Sequence, residues 1–360
     1  MRQTMIVLGI ESSCDETAAA VVERRADGSS RILSDIVLSQ IADHAPYGGV
    51  VPEIAARSHI ESILPVIREA LDDASCTWDD IDAIGVTYGA GLGGSLLIGV
   101  MTARTLAITQ AKPLYGINHV EAHVYANFLT ETALPGYKMP AAQPKFPMLA
   151  IIVSGGHSQL VLFRGHFDYT LLGQTQDDAI GEAFDKVAKM LGLPYPGGPS
   201  VAEAAAKGNP NAFDLPKARM GKYDFSFSGP KTAVLRLAQA QIGESHDFPS
   251  TKLPGRLSAA QKADIAASFQ RVAIETIVDK ARLAYEEFSP QSVVIAGGVA
   301  ASAELRRQLS AAIPLPLSYP DPALCTDNAA MVAALACFKA KLGQPAADPY
   351  TLAIEPNLSM

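Results

Sequence analysis

The chain alternates short apolar runs with longer amphipathic stretches, a pattern typical of a protein built from both β-strands and α-helices. Near the start, the apolar run Met5–Ile10 leads through a polar loop into Ala18–Val22. The same plan returns near the middle, where Met148–Ser154 leads through a glycine loop into Gln159–Phe163. Each pair of runs predicts a β-hairpin. Two such hairpins, each with a loop of small and polar residues, indicate a duplicated phosphate-binding scaffold.

Helical periodicity occupies most of the remaining chain. It predicts helices at about 54–73, 94–110, 179–191, 200–207, 231–242, 258–288 and 328–342, with further strands at 83–87 and 292–296. The proline-rich segment 130–147 has little periodicity and marks the crossover between lobes. We therefore expect a first lobe at 1–130, completed by the C-terminal helix at about 328–360, and a second lobe at 131–327.

Composition agrees with two lobes, because 360 residues exceed the roughly 150 typical of one domain and 48% of them are hydrophobic. The opening apolar run is too short for a secretory signal. Arg104 interrupts the longest apolar stretch, which therefore predicts a buried helix and not a membrane span. Four cysteines, at 14, 76, 325 and 337, form neither a CxxC pair nor a disulfide framework. We expect a soluble, cytoplasmic chain without a membrane span.

The net charge of −8 argues against nucleic-acid binding by the overall field of the protein, so such binding has to be local. The best local candidate is segment 217–231. In this segment four basic residues surround three aromatic ones: Lys217, Arg219, Lys222 and Lys231 with Tyr223, Phe225 and Phe227. Such interleaving suits a phosphate backbone and unstacked bases. The alternative is a solvated loop over buried aromatic side chains.

Two histidines four residues apart, His119 and His123, are the strongest chemical signal. On a helix this spacing corresponds to about 400° of rotation, so both rings project from nearly the same azimuth and can bind one metal ion. The zinc-protease pattern HExxH places its glutamate directly after the first histidine. Glu121 instead lies roughly 200° round the helix. The spacing thus favours a metal that holds and polarises a substrate, the alternative being packing or capping histidines.

Several acids are candidates for the same chemistry. Asp327 precedes the last helix and is either a third metal ligand or a helix N-cap. Two histidines and one carboxylate leave open positions for substrate and favour iron(II) or zinc over calcium. Asp185 and the pair Asp15 and Glu16 are further candidates, although each can equally be a solvated helix or turn acid.

Glycine loops supply the second half of the chemical argument. Ser154, Gly155 and Gly156 follow an apolar strand, and glycine lets backbone amides approach an anion closely. Gly297 and Gly298 follow another strand and precede a helix with Ser302 and Glu304 near its start, a placement that suits a nucleotide. Gly197 and Gly198 lie in a third such loop, rich in proline. Taken singly, each loop is also compatible with an ordinary turn.

With these residues in view, the chain resembles the TsaD family of tRNA N6-adenosine threonylcarbamoyltransferases, which includes the Gcp, YgjD and Kae proteins. The resemblance extends from about residue 6 to residue 335. It rests on nine ordered motifs: GIESSCDETAAAVV, YGGVVPE, NHVEAHVYA, VSGGHSQL, GEAFDK, PYPGGP, DFSFSGPKTA, AGGV and CTDNAAM. An older label for this family is O-sialoglycoprotein metalloendopeptidase, a reading that the position of Glu121 disfavours.

The resemblance implies an α/β fold of the ASKHA class, the duplicated two-lobe architecture of actin, sugar kinases and Hsp70, with a nucleotide in the cleft. It also implies transfer of threonylcarbamoyl from threonylcarbamoyl-AMP to the exocyclic amine of adenosine 37, in tRNAs that read codons beginning with adenine. The implied partners are tRNA, a TsaB-type ASKHA paralogue and a TsaE-type ATPase. ATP is a further candidate ligand.

By motif, the resemblance assigns His119, His123 and Asp327 as metal ligands, with one iron(II) per subunit and zinc or magnesium as substitutes. It assigns the adenylate substrate to Ile152, Val153, Ser154, Gly155, Gly156, Asp185 and Gly198. Ser302 stands where the family usually has asparagine, and its shorter hydroxyl lacks the paired groups of an amide.

Because a mixed anhydride is already activated, the enzyme has mainly to position the amine and stabilise the developing oxyanion. Asp15 and Glu16 are our candidates for a base, and the sequence does not choose between them. Two other classes stay open. One is an ASKHA-type small-molecule kinase that uses magnesium and ATP. The other is a nucleotide-binding scaffold without chemistry, which would be expected to lack the metal ligands.

Overall fold

The computed structural model describes residues 4–218 and 220–360. The strands are β1 Met5–Glu11, β2 Glu16–Arg24, β3 Ser30–Ser39, β4 Ala83–Gly89, β5 Leu114–Asn118, β6 Glu131–Thr132, β7 Met148–Val153, β8 Ser158–Gly165, β9 Asp168–Gln174, β10 Ser292–Ala296 and β11 Leu317–Ser318. The helices are α1 Ile41–His44, α2 Pro52–Asp73, α3 Gly93–Thr109, α4 His119–Tyr125, α5 Ile180–Leu191, α6 Gly197–Ala205, α7 Ser228–Gln241, α8 Ala259–Phe288, α9 Ala303–Ala312, α10 Pro322–Cys325 and α11 Ala329–Lys341.

The chain divides into two compact units. Unit 1 contains the described residues up to His44, together with Val50–Pro144 and Ser318–Met360. Unit 2 contains Ala45–Gly49 and Lys145–Leu317. The predicted lobe boundaries at residues 130 and 327 stay a prediction. Asp327 belongs to unit 1, as His119 and His123 do.

Unit 1 is built on a six-stranded sheet with the order β5-β4-β1-β2-β3-β6. Strand β1 pairs antiparallel with β2 and parallel with β4. Side chains alternate across a strand, so Leu8 and Ile10 face the apolar core that contains residues of α2 and α3. Gly9 faces α11, where a Cβ at this position would collide with the backbone of Ala329. The lack of a side chain at Gly9 thus lets α11 pack closely on the central strand.

Unit 2 is built on a five-stranded sheet with the order β11-β10-β7-β8-β9. Strands β7 and β8 form an antiparallel hairpin, and β10 runs parallel to β7 with Ala296 opposite Ile152. The carboxyl ends of these parallel strands therefore lie side by side. Two of the glycine loops singled out in the sequence begin at this edge of the sheet.

Both predicted hairpins and all the predicted helices are present, with ends that differ by a few residues. The pattern did not predict β3, β5 or β9, which lie toward the edges of their sheets. Segment 130–147 contains the short strand β6 but no helix. No helix in the described part of the chain has the length and apolar character required to cross a membrane.

Candidate functional site

The histidine pair lies on the short helix α4, which starts where β5 ends. Asn118 caps this helix: its side-chain oxygen accepts hydrogen bonds from the backbone N–H of Val120 at 2.8 Å and of Glu121 at 3.3 Å. The cap fixes the first turn, which carries His119, and the next turn carries His123. The ring centroids of the two histidines are 4.7 Å apart. The predicted grouping of both imidazoles on one helix face is therefore present.

Asp327 approaches both rings from the loop that precedes α11. Its Oδ1 atom lies 3.2 Å from Nε2 of His123 and 3.6 Å from Nε2 of His119. The cap of α11 is Asn328, whose side chain accepts a hydrogen bond from the backbone N–H of Met331 at 3.0 Å. The alternative role of Asp327 as N-cap is thus held by its neighbour. One ligand atom from each of His119, His123 and Asp327 lies within 4.8 Å of the other two.

This group of three residues fits a metal ion. His123 is only 1% exposed; its Nδ1 atom has no hydrogen-bond partner among the described residues, and its Nε2 atom has only the 3.2 Å ion-pair contact with Asp327. Such buried polar atoms are costly unless something binds them. Although burial lowers the pKa of His119, the charges of Asp327 and Glu11 outweigh it and raise that pKa to about 9. The surroundings of the ring thus favour positive charge. Two nitrogen donors and one carboxylate suit iron or zinc better than calcium.

Glu121 does not take part in this group. It is 5% exposed, and burial raises its pKa to about 7 against the opposing charge of Lys339. It occupies the face of α4 that the sequence predicted. The arrangement is therefore unlike the zinc-protease pattern, in which a glutamate serves the metal-bound water.

Three residues around His119 were not predicted from the sequence: Glu11 and Ser13, which contact its ring, and Thr87, which contacts Glu11. Ser13 Oγ lies 3.1 Å from Nδ1 of His119, and Glu11 Oε2 lies 3.4 Å from the same nitrogen. Thr87 donates a hydrogen bond of 2.6 Å to Glu11 Oε2. A usable signal was present, since Glu11 is a polar residue at the end of apolar strand β1 and Thr87 is a polar residue within apolar strand β4.

The acids Asp15 and Glu16 also belong to unit 1, where Asp15 ends the turn after β1 and Glu16 begins β2. Burial, together with the charges of Asp327 and Asp15, raises the pKa of Glu16 to about 10. A hydrogen bond between Glu16 and Asp15 acts in the same direction. The carboxyl of Glu16 therefore holds its proton at neutral pH, beside Asp15.

In unit 2, the turn of the β7–β8 hairpin forms the first glycine loop. The backbone N–H of Ser154 donates to the carbonyl of His157, and the N–H of His157 donates to Ser154 Oγ. Ile152 and Val153 are fully buried in β7, whereas Gly155 and Gly156 are exposed, with open space where a Cβ would lie. The loop therefore leaves its backbone accessible to an anion.

Gly197 and Gly198, which the sequence placed in a loop, begin helix α6. Asp185 ties this start of α6 to α5, because its Oδ1 accepts a hydrogen bond of 2.7 Å from the N–H of Gly197. A Cβ at Gly197 would lie 2.5 Å from the Cα of Asp185, so this position has no room for a side chain. A Cβ at Gly198 would meet nothing within 4 Å. Of the two adjacent glycines, Gly197 is needed for packing and Gly198 faces open space.

The loop of Gly297 and Gly298 meets the loop of Gly155 and Gly156 at the edge of the sheet. Gly297 has a φ of +89°, and a Cβ there would lie 2.5 Å from the carbonyl oxygen of Val153. Ser302 caps α9 by accepting a hydrogen bond from the N–H of Leu305 at 3.3 Å. Ser302 therefore has a structural role that asparagine can also perform.

The basic and aromatic segment 217–231 does not offer a surface for bases. Phe225 and Phe227 are fully buried, and Tyr223 is 8% exposed. Its lysines are paired with acids: Lys217 with Glu275 and Asp279, Lys222 with Glu287, and Lys231 with Asp178. Arg219 lies outside the described residues. The stacking hypothesis is wrong for these aromatic residues, because they pack inside unit 2.

Two α/β units, one with a histidine and aspartate group that could hold a metal ion and one with converging glycine loops, define an ASKHA-type protein with a candidate metal centre. A solved structure from Acidaminococcus fermentans, (R)-2-hydroxyglutaryl-CoA dehydratase component A, has a similar fold. Its TM-score is 0.50 at 16% identity, over 94% of this chain and 99% of that one. The predicted fold class is confirmed.

The family model TsaD, described as tRNA N6-adenosine threonylcarbamoyltransferase, matches residues 31–334. A protein of that name from Thermomicrobium roseum is 50% identical over 347 residues, which cover 94% of this chain and 93% of the relative. Another, from Dehalococcoides mccartyi, is 45% identical over 357 residues, with 99% of both chains covered. The chain belongs to the TsaD family. It is a transferase, and neither the kinase nor the endopeptidase alternative is favoured.

Proposed function

We propose that this chain transfers the threonylcarbamoyl group from L-threonylcarbamoyladenylate to the exocyclic amine of adenosine 37, in tRNAs that read codons beginning with adenine. The product is N6-threonylcarbamoyladenosine, and AMP is released. Family membership supports the reaction. The observation that carries the proposal on this chain is the meeting of His119, His123 and Asp327, which a kinase of the same fold class does not need.

We propose that these three residues hold one iron(II) per subunit, and that zinc or magnesium can replace it. A cation held by these residues would supply Lewis-acid polarisation of the threonylcarbamoyl group. The residues contribute the rest. Asp327 offsets positive charge beside both rings, and the cap at Asn118 keeps the two histidines on one face of α4.

We propose that the loops of unit 2 bind the adenylate. The exposed backbone of Gly155 and Gly156 offers N–H groups to the AMP phosphate, which leaves as an anion. Gly198 allows a close approach because nothing occupies the space beside its Cα. Asp185 acts indirectly, because its hydrogen bond with the N–H of Gly197 holds these glycines in position.

In the transfer, the adenine nitrogen forms a bond to the carbamoyl carbon, and the bond from that carbon to the phosphate oxygen breaks. AMP takes the bonding electrons, and the amine proton passes to a base. We assign the base to Asp15, because the raised pKa of Glu16 keeps that carboxyl protonated at neutral pH. Glu16 then donates a hydrogen bond to Asp15 and orients it.

The direct test incubates the purified chain with threonylcarbamoyl-AMP and an unmodified tRNA that carries adenosine 37. Mass spectrometry of the digested tRNA should detect the threonylcarbamoylated nucleoside in amounts that depend on enzyme and metal. The reaction is run with and without TsaB-type and TsaE-type partners and ATP. The same tRNA with guanosine at position 37 is the matched control. Absence of product in every mixture with a metal-loaded chain would refute the proposal.

We also propose that a TsaB-type paralogue pairs with the exposed face formed by α2 and α3. Four large apolar side chains on these adjacent helices are between 46% and 61% exposed: Ile60, Leu64, Leu97 and Met101. On each helix the two side chains are one turn apart, and exposed apolar side chains grouped in this way favour a protein-binding surface. A TsaE-type ATPase is the further partner that the family suggests. The free thiols of the four cysteines are consistent with work in a reducing cytoplasm.

A further inference from the structure

The two ring nitrogens of His119 face different groups. Its Nε2 atom is the nitrogen nearest Asp327, at 3.6 Å, and belongs to the side of the ring that meets the metal group. Its Nδ1 atom lies 3.1 Å from Ser13 Oγ and 3.4 Å from Glu11 Oε2. A neutral histidine binds a metal through one nitrogen and carries its proton on the other. The partners of Nδ1 therefore decide which nitrogen is offered to the metal.

Glu11 is held firmly on the Nδ1 side. It ends β1 at the centre of the sheet and is fully buried. The backbone N–H of Ser13 donates to Oε1 at 2.6 Å, and the hydroxyl of Thr87 donates to Oε2 at 2.6 Å. These two bonds fix the plane of the carboxylate.

We propose that Glu11, together with Ser13, is a positioning residue for the metal centre. It holds the proton of His119 on Nδ1, so that the unprotonated Nε2 atom faces Asp327 and the cation. Metal-binding histidines in general donate their second N–H to a carboxylate or carbonyl, which fixes both tautomer and ring orientation. The inference rests on the metal-holding role proposed above, and it adds the element that selects the binding nitrogen.

The substitution Glu11→Gln should move the proton of His119 from Nδ1 to Nε2, because of the hydrogen-bond donors and acceptors around the side chain. The N–H of Ser13 can only donate, so the amide oxygen of glutamine has to take the place of Oε1. The amide NH2 group then takes the place of Oε2 and donates to Nδ1 of His119. A neutral histidine that accepts a hydrogen bond at Nδ1 carries its proton on Nε2, the nitrogen that has to be free to bind the metal. Glutamine has nearly the same size as glutamate, so packing changes little.

The test uses the full chain and Zn²⁺ alone, with affinity measured by competition against a chelator. We expect Glu11→Gln to weaken zinc binding by about 10- to 100-fold, the usual effect of removing such a partner. Ser13→Ala should weaken it less, because the carboxylate remains. Glu121→Gln is the matched control: it removes another buried carboxylate from the neighbourhood of the histidines, and we expect a change of less than about threefold.

A second readout reports the tautomer directly. In the zinc-loaded wild-type chain labelled with ¹⁵N-histidine, we expect His119 to show a protonated Nδ1 and a metal-bound Nε2. Zinc bound through Nδ1 in this wild-type spectrum would overturn the proposal even if no variant folds. Equal zinc affinity of Glu11→Gln and wild type would overturn it as well. A wild-type chain that binds no zinc would overturn both this inference and the proposed metal centre.

Discussion

Nε2 of His123 lies 3.2 Å from Oδ1 of Asp327, although the two residues come from helix α4 and from the loop before α11, far apart in the sequence. The contact joins the first half of the chain to its last quarter within unit 1. It depends on the close packing of α11 against β1, which Gly9 permits. The geometry of the candidate metal centre is thus a property of the folded sheet rather than of one local motif.

The first prediction concerns the metal itself. Replacing His123 with alanine removes one of two nitrogen donors, so stoichiometric binding of iron or zinc should be lost and transfer should fall by at least about 100-fold. Metal content by mass spectrometry and binding by calorimetry measure the effect. The exposed residue His246 provides the control, because His246→Ala should bind metal normally. Full metal occupancy in His123→Ala would contradict the assigned ligand set.

The second prediction distinguishes the catalytic roles of Asp15 and Glu16. Asp15→Asn removes the proposed base and should lower the transfer rate by about 100- to 10,000-fold. Glu16→Gln should lower it by less than about tenfold, because an amide resembles the protonated carboxyl that the raised pKa of Glu16 implies. Single-turnover assays with threonylcarbamoyl-AMP measure both rates. The opposite order of effects would assign the base to Glu16.

The sequence was sufficient to predict the local part of the candidate site. The spacing of His119 and His123 follows from helix geometry alone, and the position of Glu121 on another face follows from the same geometry. The proximity of Asp327 to the two histidines could not be predicted in this way, because it depends on the packing of α11 on the sheet. The role of Glu11 required the pairing of β1 with β4, which places Glu11 near Thr87. Contacts that depend on strand order are not encoded in any short segment.

The fold shows the same limit. Buried strands such as β7 and β10 are uninterrupted apolar runs and were predicted, whereas β3 and β9 were missed. The second half of β3 leaves Val37 and Leu38 exposed, and β9 is the edge strand of its sheet. Exposed strands carry mixed residues, so their pattern resembles that of a loop. The stacking hypothesis for Phe225 and Phe227 was wrong for a related reason, since composition does not reveal which side of a loop is buried.

The third prediction uses the adjacent glycines of α6. Gly197→Ala should lower the free energy of unfolding by about 1–3 kcal/mol, because its Cβ would lie 2.5 Å from the Cα of Asp185. Gly198→Ala should leave stability unchanged or slightly higher, since its Cβ meets nothing within 4 Å. The same variant should weaken binding of an unreactive adenylate analogue. Urea unfolding and calorimetry measure the two effects, and unimpaired binding by Gly198→Ala would remove this glycine from the substrate site.

The fourth prediction concerns the pH dependence of stability. Burial raises the pKa of Asp35 from its ordinary value of 3.8 to about 7, against hydrogen bonds from the amides of Ala329 and Ala330. The folded state therefore binds this proton more tightly than the unfolded state does. The contribution of Asp35 to stability should fall as the pH rises from about 4 to about 7, and level off above that range.

Urea unfolding of wild type and Asp35→Asn at several pH values tests this sign. The substitution removes the titrating group, so the variant should lose less stability than wild type between pH 4 and pH 7. Asp72→Asn, at an exposed position, is the control and should follow the wild-type curve. Parallel curves for wild type and Asp35→Asn would show that the carboxyl does not titrate in this range.

The last prediction addresses the proposed partner surface on α2 and α3. Leu97 is 46% exposed and Met101 is 47% exposed, one turn apart on α3. An aspartate at either position would place a charge in the centre of an apolar contact, so Leu97→Asp and Met101→Asp should each weaken pairing with a TsaB-type protein by at least about tenfold. Analytical ultracentrifugation or calorimetry measures the pairing.

Neither variant should lose zinc binding, because both positions lie on a helix that contributes no residue to the metal group. Leu342→Asp changes an equally exposed apolar residue just after α11 and should pair normally. Equal affinity for all three variants would move the partner surface elsewhere on the chain.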